Sequence, residues 1–154
     1  MSPNRVLVVD DEVALGNFIV EVAIRADYDA RATADARSFK QQYAEFSPTL
    51  IVLDLSMPDV DGIELLRFLE AEQCEAGILI VSGFDQRVLD SAAHLGIARG
   101  LRMLGTIPKP VRMATLLELF GKLRHADPEG AVESVAAEER GALRPTPVSL
   151  QRRA

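Results

Sequence analysis

Four stretches of the chain place acids, a hydroxyl and an amine where apolar runs end. Val6-Leu7-Val8-Val9 runs into Asp10-Asp11-Glu12, and Thr49-Leu50-Ile51-Val52-Leu53 runs into Asp54. Ile78-Leu79-Ile80-Val81 ends in Ser82-Gly83, and Leu104 to Ile107 leads to Pro108-Lys109-Pro110. Carboxylates held close together repel unless something positive sits among them, and a hard divalent cation is the natural solution. Mg²⁺ takes oxygen ligands, so Asp11 and Asp54 suit direct coordination, with the backbone carbonyl of Ser56 as a third ligand and Asp10 holding a bound water. An aspartate in such a cage is also a nucleophile toward phosphorus and would give an aspartyl phosphate. Phosphoryl transfer is mostly positioning and charge neutralisation. Lys109 brings a point charge on a long stem, and Ser82 brings a donor hydroxyl.

Each residue taken singly has a plainer reading. Asp-Asp-Glu at a helix start is a favourable partner for the helix dipole. A lone lysine is usually a solvated surface charge, and a lone serine a strand-end hydroxyl. Asp59, Asp61 and Gly62 read as turn and cap chemistry rather than as metal ligands. His94 and His125 read as surface or helix-packing residues, and Cys74 as a small apolar residue near a helix end. Only the combination favours phosphoryl chemistry.

That chemistry needs the strand ends on one edge of a sheet. The runs Val6–Val9, Leu50–Leu53, Ile78–Val81 and Leu104–Ile107, with a weaker one from Tyr28 to Thr33, are read as five strands. Uninterrupted apolar runs suit strands buried on both faces of a parallel sheet. Helical spacing lies between them. Helix one carries Leu15, Phe18, Ile19, Val22 and Ala26. Helix two, capped by Asp35, buries Ala36, Phe39, Tyr43 and Phe46. Helix three follows Gly62 with Ile63, Leu65, Leu66 and Leu69. Helix four, capped by Asp85, is expected to turn Val88, Ala92 and Leu95 inward. Helix five presents Met113, Leu116, Leu117 and Phe120. The stretch from Gly96 to Gly105 reads either as an extension of helix four or as loop. Five such alternations imply an α/β fold, a doubly wound parallel sheet with helices on both faces. In that architecture Asp10, Asp11, Asp54, Ser82 and Lys109 share the sheet's C-terminal edge, where ligands bind.

Composition narrows the function. At 154 residues and a net charge of −6, with no basic stripe, the chain is a poor candidate for unaided nucleic-acid binding. A single cysteine allows no internal disulfide and fits a reducing cytoplasm. No signal peptide or membrane-spanning stretch is visible. After about His125 the character changes to prolines and mixed charges, so residues 1–125 are expected to form the domain. Residues 126–154 are expected to form a tail, weakly helical through Val132, Val135 and Ala136 or disordered.

Asp10-Asp11, Asp54 with Met57-Pro58-Asp59-Val60-Asp61-Gly62, Ser82-Gly83 and Lys109-Pro110, in this order, resemble the receiver domain of bacterial two-component response regulators over roughly residues 4 to 124. The resemblance implies a flavodoxin-like fold with strand order 2-1-3-4-5. It implies that Asp54 accepts phosphate from a phosphohistidine on a histidine kinase or phosphotransfer protein, with Mg²⁺ as cofactor. It makes Asp10 and Asp11 the metal-site acids, Ser82 the switch hydroxyl, Lys109 the family's lysine and Lys109-Pro110 a cis bond. Such a domain is a phosphoacceptor with self-catalysed chemistry rather than an enzyme in the ordinary sense. Its output is expected through an unknown downstream protein, or a homodimer, on the face of helix four, strand five and helix five. Neither direct DNA contact nor a membrane is expected, since no helix-turn-helix pattern follows helix five.

Three departures stand out. Thr106 occupies the position, three before the lysine, where the family usually has an aromatic readout residue. Pro108 lies inside strand five, which is tolerable on an edge strand. The stretch from Ala98 to Gly105 looks long and is similar to receivers attached to cyclic-di-GMP phosphodiesterase domains, so a receiver part of such a larger regulator is an alternative. A phosphorylation-independent interaction module is another. An enzyme of the haloacid-dehalogenase type, working through a phospho-aspartate, is disfavoured because Ser56 stands where a second acid is needed. A nucleotide-binding domain is disfavoured because Val6 to Glu12 lacks a glycine-rich loop.

Overall fold

The computed structural model describes residues 4–55, 62–83 and 86–125. Strands and helices alternate: β1 (Arg5–Val9), α1 (Val13–Arg25), β2 (Asp29–Thr33), α2 (Ala36–Phe46), β3 (Leu50–Asp54), α3 (Gly62–Ala71), β4 (Gly77–Ser82), α4 (Gln86–Ala98), β5 (Arg102–Pro108) and α5 (Met113–His125). All pairings are parallel, and the order is β2-β1-β3-β4-β5. The expected doubly wound, flavodoxin-like α/β sheet is therefore present. The order reverses between β1 and β3, which opens a crevice above their C-terminal ends.

Side-chain alternation splits the core in two. Leu7, Val9, Ile51, Leu53, Ile78 and Ile80 meet Phe39 of α2, Leu65, Leu66 and Leu69 of α3, and Leu89 of α4. Their neighbours Val6, Val8, Leu50, Val52, Leu79 and Val81 meet Ile19 and Val22 of α1 and Leu116 and Phe120 of α5. With both faces covered, β3 and β4 are buried throughout. Exposed β2, DARAT, reads weakly as a strand because it lies at an edge. Asp35 caps α2 as expected, accepting the Ser38 N–H at 2.7 Å. The proposed cap of α4, Asp85, lies outside the described residues, as does the tail from residue 126.

Two features depart from the sequence expectation. Helix α4 buries Leu89, Ala92 and Gly96, while Val88 is 43% exposed and Leu95 only half-buried. Both triplets fit a helical period, as i, i+3, i+7 and as i, i+4, i+7, so periodicity cannot choose between them. The choice falls to Gly96, whose missing side chain lets α4 close onto Met103 of β5. Gly100, at φ 83°, then takes the left-handed conformation that ends the helix, and the Leu101 N–H returns to the Gly96 carbonyl. The ambiguous stretch is thus helix to Ala98, a tight turn, and strand from Arg102.

Strand β5 also carries a bulge. Ile78 pairs with Met103, but Leu79 pairs with Gly105, so Leu104 is an extra residue. Met103 packs on the α4 side and Leu104 on the α1 and α5 side. Beyond the bulge Thr106 pairs with Ile80 and faces α4. Pro108 is tolerated because β5 is the edge strand.

The close approach at Gly96 can be measured. Gly96→Ala and Gly121→Ala both gain helix propensity, but an added Cβ meets Met103 at position 96 and nothing at position 121. Gly96→Ala should therefore be less stable than Gly121→Ala by about 1–3 kcal/mol in urea unfolding. Equal midpoints would show that Met103 repacks freely.

Candidate functional site

Above the crevice, each polar group is set by the backbone that ends its strand. The Asp10 N–H continues the sheet ladder by donating to the Thr33 carbonyl at 3.0 Å. Its side chain then turns back, and Oδ1 accepts the Glu12 N–H at 2.8 Å. This Asx-type turn starts α1. Asp54 is the last residue of β3, and its carboxylate rises between the ends of β1 and β4. Ser82 ends β4, fully buried. Its carbonyl accepts the Lys109 N–H at 3.0 Å, which fixes where the lysine leaves β5. The Lys109-Pro110 bond is cis, as the resemblance implies.

The structure brings Asp10, Asp11, Asp54 and Lys109 together. A carboxylate oxygen from each of the three aspartates lies within 4.8 Å of the others. Asp10 is 2% exposed and Asp54 1%, whereas Asp11 faces solvent. Lys109 Nζ stands 3.5 Å from Asp10 Oδ2 and 3.6 Å from Asp54 Oδ2. Ser56, whose carbonyl was expected as a ligand, lies outside the described residues, as do Met57 to Asp61.

One member escaped the sequence reading. Glu12 reads as a helix-start acid, yet its Oε1 accepts from Lys109 Nζ at 3.0 Å, across 97 positions of chain. No sequence signal marks that contact. At the departure three residues before the lysine, Thr106 is buried, and its Oγ1 accepts from Gln86 Nε2 of α4 at 3.3 Å.

Charge is poorly balanced here. Burial pushes the Asp10 carboxyl up to about 6, and the charge of Asp54 adds to the effect. The Glu12 N–H and Lys109 oppose that rise. For Lys109, burial works against the charged form, but the Glu12 hydrogen bond and the two aspartates hold its pKa above the ordinary value. Three oxygen donors around a crevice, two of them buried, form a hard ligand set that fits Mg²⁺.

An acid whose pKa is higher folded than unfolded holds its proton more tightly when folded. Its contribution to stability therefore falls as pH rises from about 4 to about 6 and stays low above that range. In metal-free protein, Asp10→Asn should flatten the pH profile over this window. It should raise stability at pH 7 by roughly 1–2 kcal/mol, less than the full shift converts to because water at the crevice mouth screens the charges. Chemical denaturation in chelator across this range measures it, and an unchanged profile would deny the strain.

Known proteins agree with this geometry. The family model described as "Response regulator receiver domain" matches residues 6–120. The transcriptional regulatory protein TrcR of Mycobacterium tuberculosis is 33% identical over 94 residues, 61% of this chain and 36% of TrcR. The chain thus spans about a third of that relative's length. Chemotaxis protein CheY of Bacillus subtilis is 28% identical over 120 residues, 77% of this chain and 96% of CheY. The crystal structure of a response regulator from Colwellia psychrerythraea superposes with a TM-score of 0.67 at 31% identity, over 79% of this chain and 97% of that one. With its sheet order, its acidic crevice and a family match over most of its length, this chain belongs to the response regulator receiver domains.

Proposed function

We propose that this receiver domain is a phosphorylation-dependent switch in which Asp54 accepts a phosphoryl group from a phosphohistidine on a histidine kinase or phosphotransfer protein. The observation that carries this reading is the placement of Asp54. A carboxylate 1% exposed stands at a strand end in the sheet's crevice, with Lys109 Nζ at 3.6 Å and two further aspartates beside it. A buried acid in such company has no structural use that an apolar residue would not serve better.

In this reading each residue has one task. An Asp54 carboxylate oxygen attacks phosphorus as the phosphorus–nitrogen bond breaks, and the imidazole nitrogen keeps the electron pair. Asp10, Asp11 and Asp54 would hold Mg²⁺, with the Ser56 carbonyl as a further protein ligand. The ion supplies positive charge against the phosphoryl oxygens. Lys109 pairs with a second phosphoryl oxygen, and the Ser82 hydroxyl donates to a third. Residues 1–125 form this unit, and 126–154 follow it as a tail.

The output lies in protein contacts on the face of α4, β5 and α5, by a population shift that favours a downstream partner or a second copy. Thr106 faces α4 and is tied to it through Gln86, so the strand and helix that carry the signal are already joined at the readout position. The acidic chain argues against direct nucleic-acid contact. Among the described residues no helix is long and apolar enough to cross a membrane. We place its action in the cytoplasm.

Intact mass after incubation with acetyl phosphate tests the assignment. One phosphoryl group should add in the presence of Mg²⁺, and none should add without Mg²⁺ or in Asp54→Ala. Full labelling of Asp54→Ala would remove Asp54 from its role. Mg²⁺ binding with no adduct from any donor would favour a phosphorylation-independent module.

A further inference from the structure

We propose that Glu12 is a positioning residue for Lys109, holding the ammonium in the unphosphorylated site and yielding it when a phosphoryl group arrives. The inference rests on Asp54 as the phosphoacceptor and concerns a residue outside the metal-binding and phosphoryl-binding set.

Glu12 is the N-cap residue of α1, with extended backbone at φ −83° and ψ 99°. An acid there ordinarily turns onto the free N–H groups of the first turn. Glu12 makes no such side-chain bond. Its N–H is committed to Asp10, and its carboxylate reaches instead to Lys109 at 3.0 Å. Among the described residues that is the shortest of the lysine's three ion pairs, the others being 3.5 and 3.6 Å.

An ammonium carries three hydrogens, and three carboxylates surround this one. Of the three, only Glu12 is close enough to hydrogen-bond it, so a phosphoryl oxygen on Asp54 that draws the ammonium inward breaks that bond. Phosphorylated Asp54 is no longer a carboxylate, and its negative charge passes to the phosphoryl oxygens, whereas Asp10 stays a buried charge that is costly to separate from its partner. The Glu12 side chain is 62% exposed, so water replaces Lys109 at once. Glu12 is thus the partner that yields. It holds Lys109 at the crevice mouth and, while it does so, competes with the incoming phosphoryl group.

The test compares wild type, Glu12→Gln and Glu12→Asp. Gln keeps length and backbone while removing the competing charge. Asp keeps the charge but withdraws it by one methylene. With acetyl phosphate, Asp54 gains a bond to phosphorus while the phosphorus–oxygen bond to the acetyl group breaks and acetate leaves with the electron pair. The rate constant for that step should rise about two- to fivefold in Glu12→Gln, the range expected for an exposed ion pair. Affinity for beryllofluoride, a phosphoryl mimic, should rise similarly, while affinity for Mg²⁺ alone stays equal or falls slightly. A merely structural disturbance would lower all three together. Glu12→Asp should follow Glu12→Gln if contact matters. If it follows wild type, only the distant charge acts and the proposal fails. Unchanged or slower transfer in Glu12→Gln also overturns it, provided that wild type is labelled on Asp54. A wild type that takes no phosphoryl group refutes the phosphoacceptor reading instead. Glu12 lies on the surface, so matching thermal unfolding of all three proteins secures the comparison.

Discussion

Two buried carboxylates share one ammonium, and the rest of the molecule is arranged around that imbalance. Asp10 and Asp54 lie within ion-pair distance of Lys109, with Asp11 and Glu12 adding negative charge at the solvent side. One lysine cannot neutralise four acids, and burial makes the deficit worse by removing water. The raised pKa of Asp10 is the visible sign. Relief comes from added positive charge, and a site that is strained until such charge arrives responds strongly to its arrival. Stability given up at a site in this way is common where function needs it.

The sheet makes that strain tolerable by confining it to one edge. Among the described residues the buried polar ones are Asp10, Thr33, Asp54, Ser82 and Thr106. Each lies at or near the C-terminal end of its strand. Below them the inner strands β1, β3 and β4 are apolar, and their alternation fills the two cores on opposite faces. Thr33 lies away from the ion pairs, and its hydroxyl donates to the Val8 carbonyl, tying the end of β2 to β1 just beneath Asp10. A packed scaffold therefore holds the carboxylates in place, which is what allows like charges to stay close.

How much of this was readable depends on which force decides each element. Strands β1, β3 and β4 were legible because burial on both faces demands unbroken apolar runs, and their polar ends followed from the parallel order. The face of α4 was not, because two apolar rows compete and a tertiary contact at Gly96 breaks the tie. Nor was the bulge at Leu104, since an inserted residue leaves no mark on local hydrophobicity. Glu12 was misjudged for a related reason. Its local role at a helix start is plausible by itself, and only the folded chain shows Lys109 drawing it away.

The bulge decides which face of the sheet Thr106 occupies. Were β5 regular, with Leu104 in the ladder, alternation would put Thr106 on the same side as Leu104, against α1 and α5. With it, Thr106 lies beside Ile80, facing α4, in reach of Gln86. A threonine has neither the length nor the surface of an aromatic ring, so it cannot report by swinging between a buried and an exposed pose. What it holds is one hydrogen bond, accepted from Gln86. Gln86 also bonds Asp90 at 2.9 Å, so that bond belongs to a short polar chain along the first turns of α4. Ser82 and Thr106 lie near the ends of adjacent paired strands, so movement of one end strains the other. Polar geometry thus joins β5 to α4, through a bond that starts at 3.3 Å and that a shift of an ångström is enough to break.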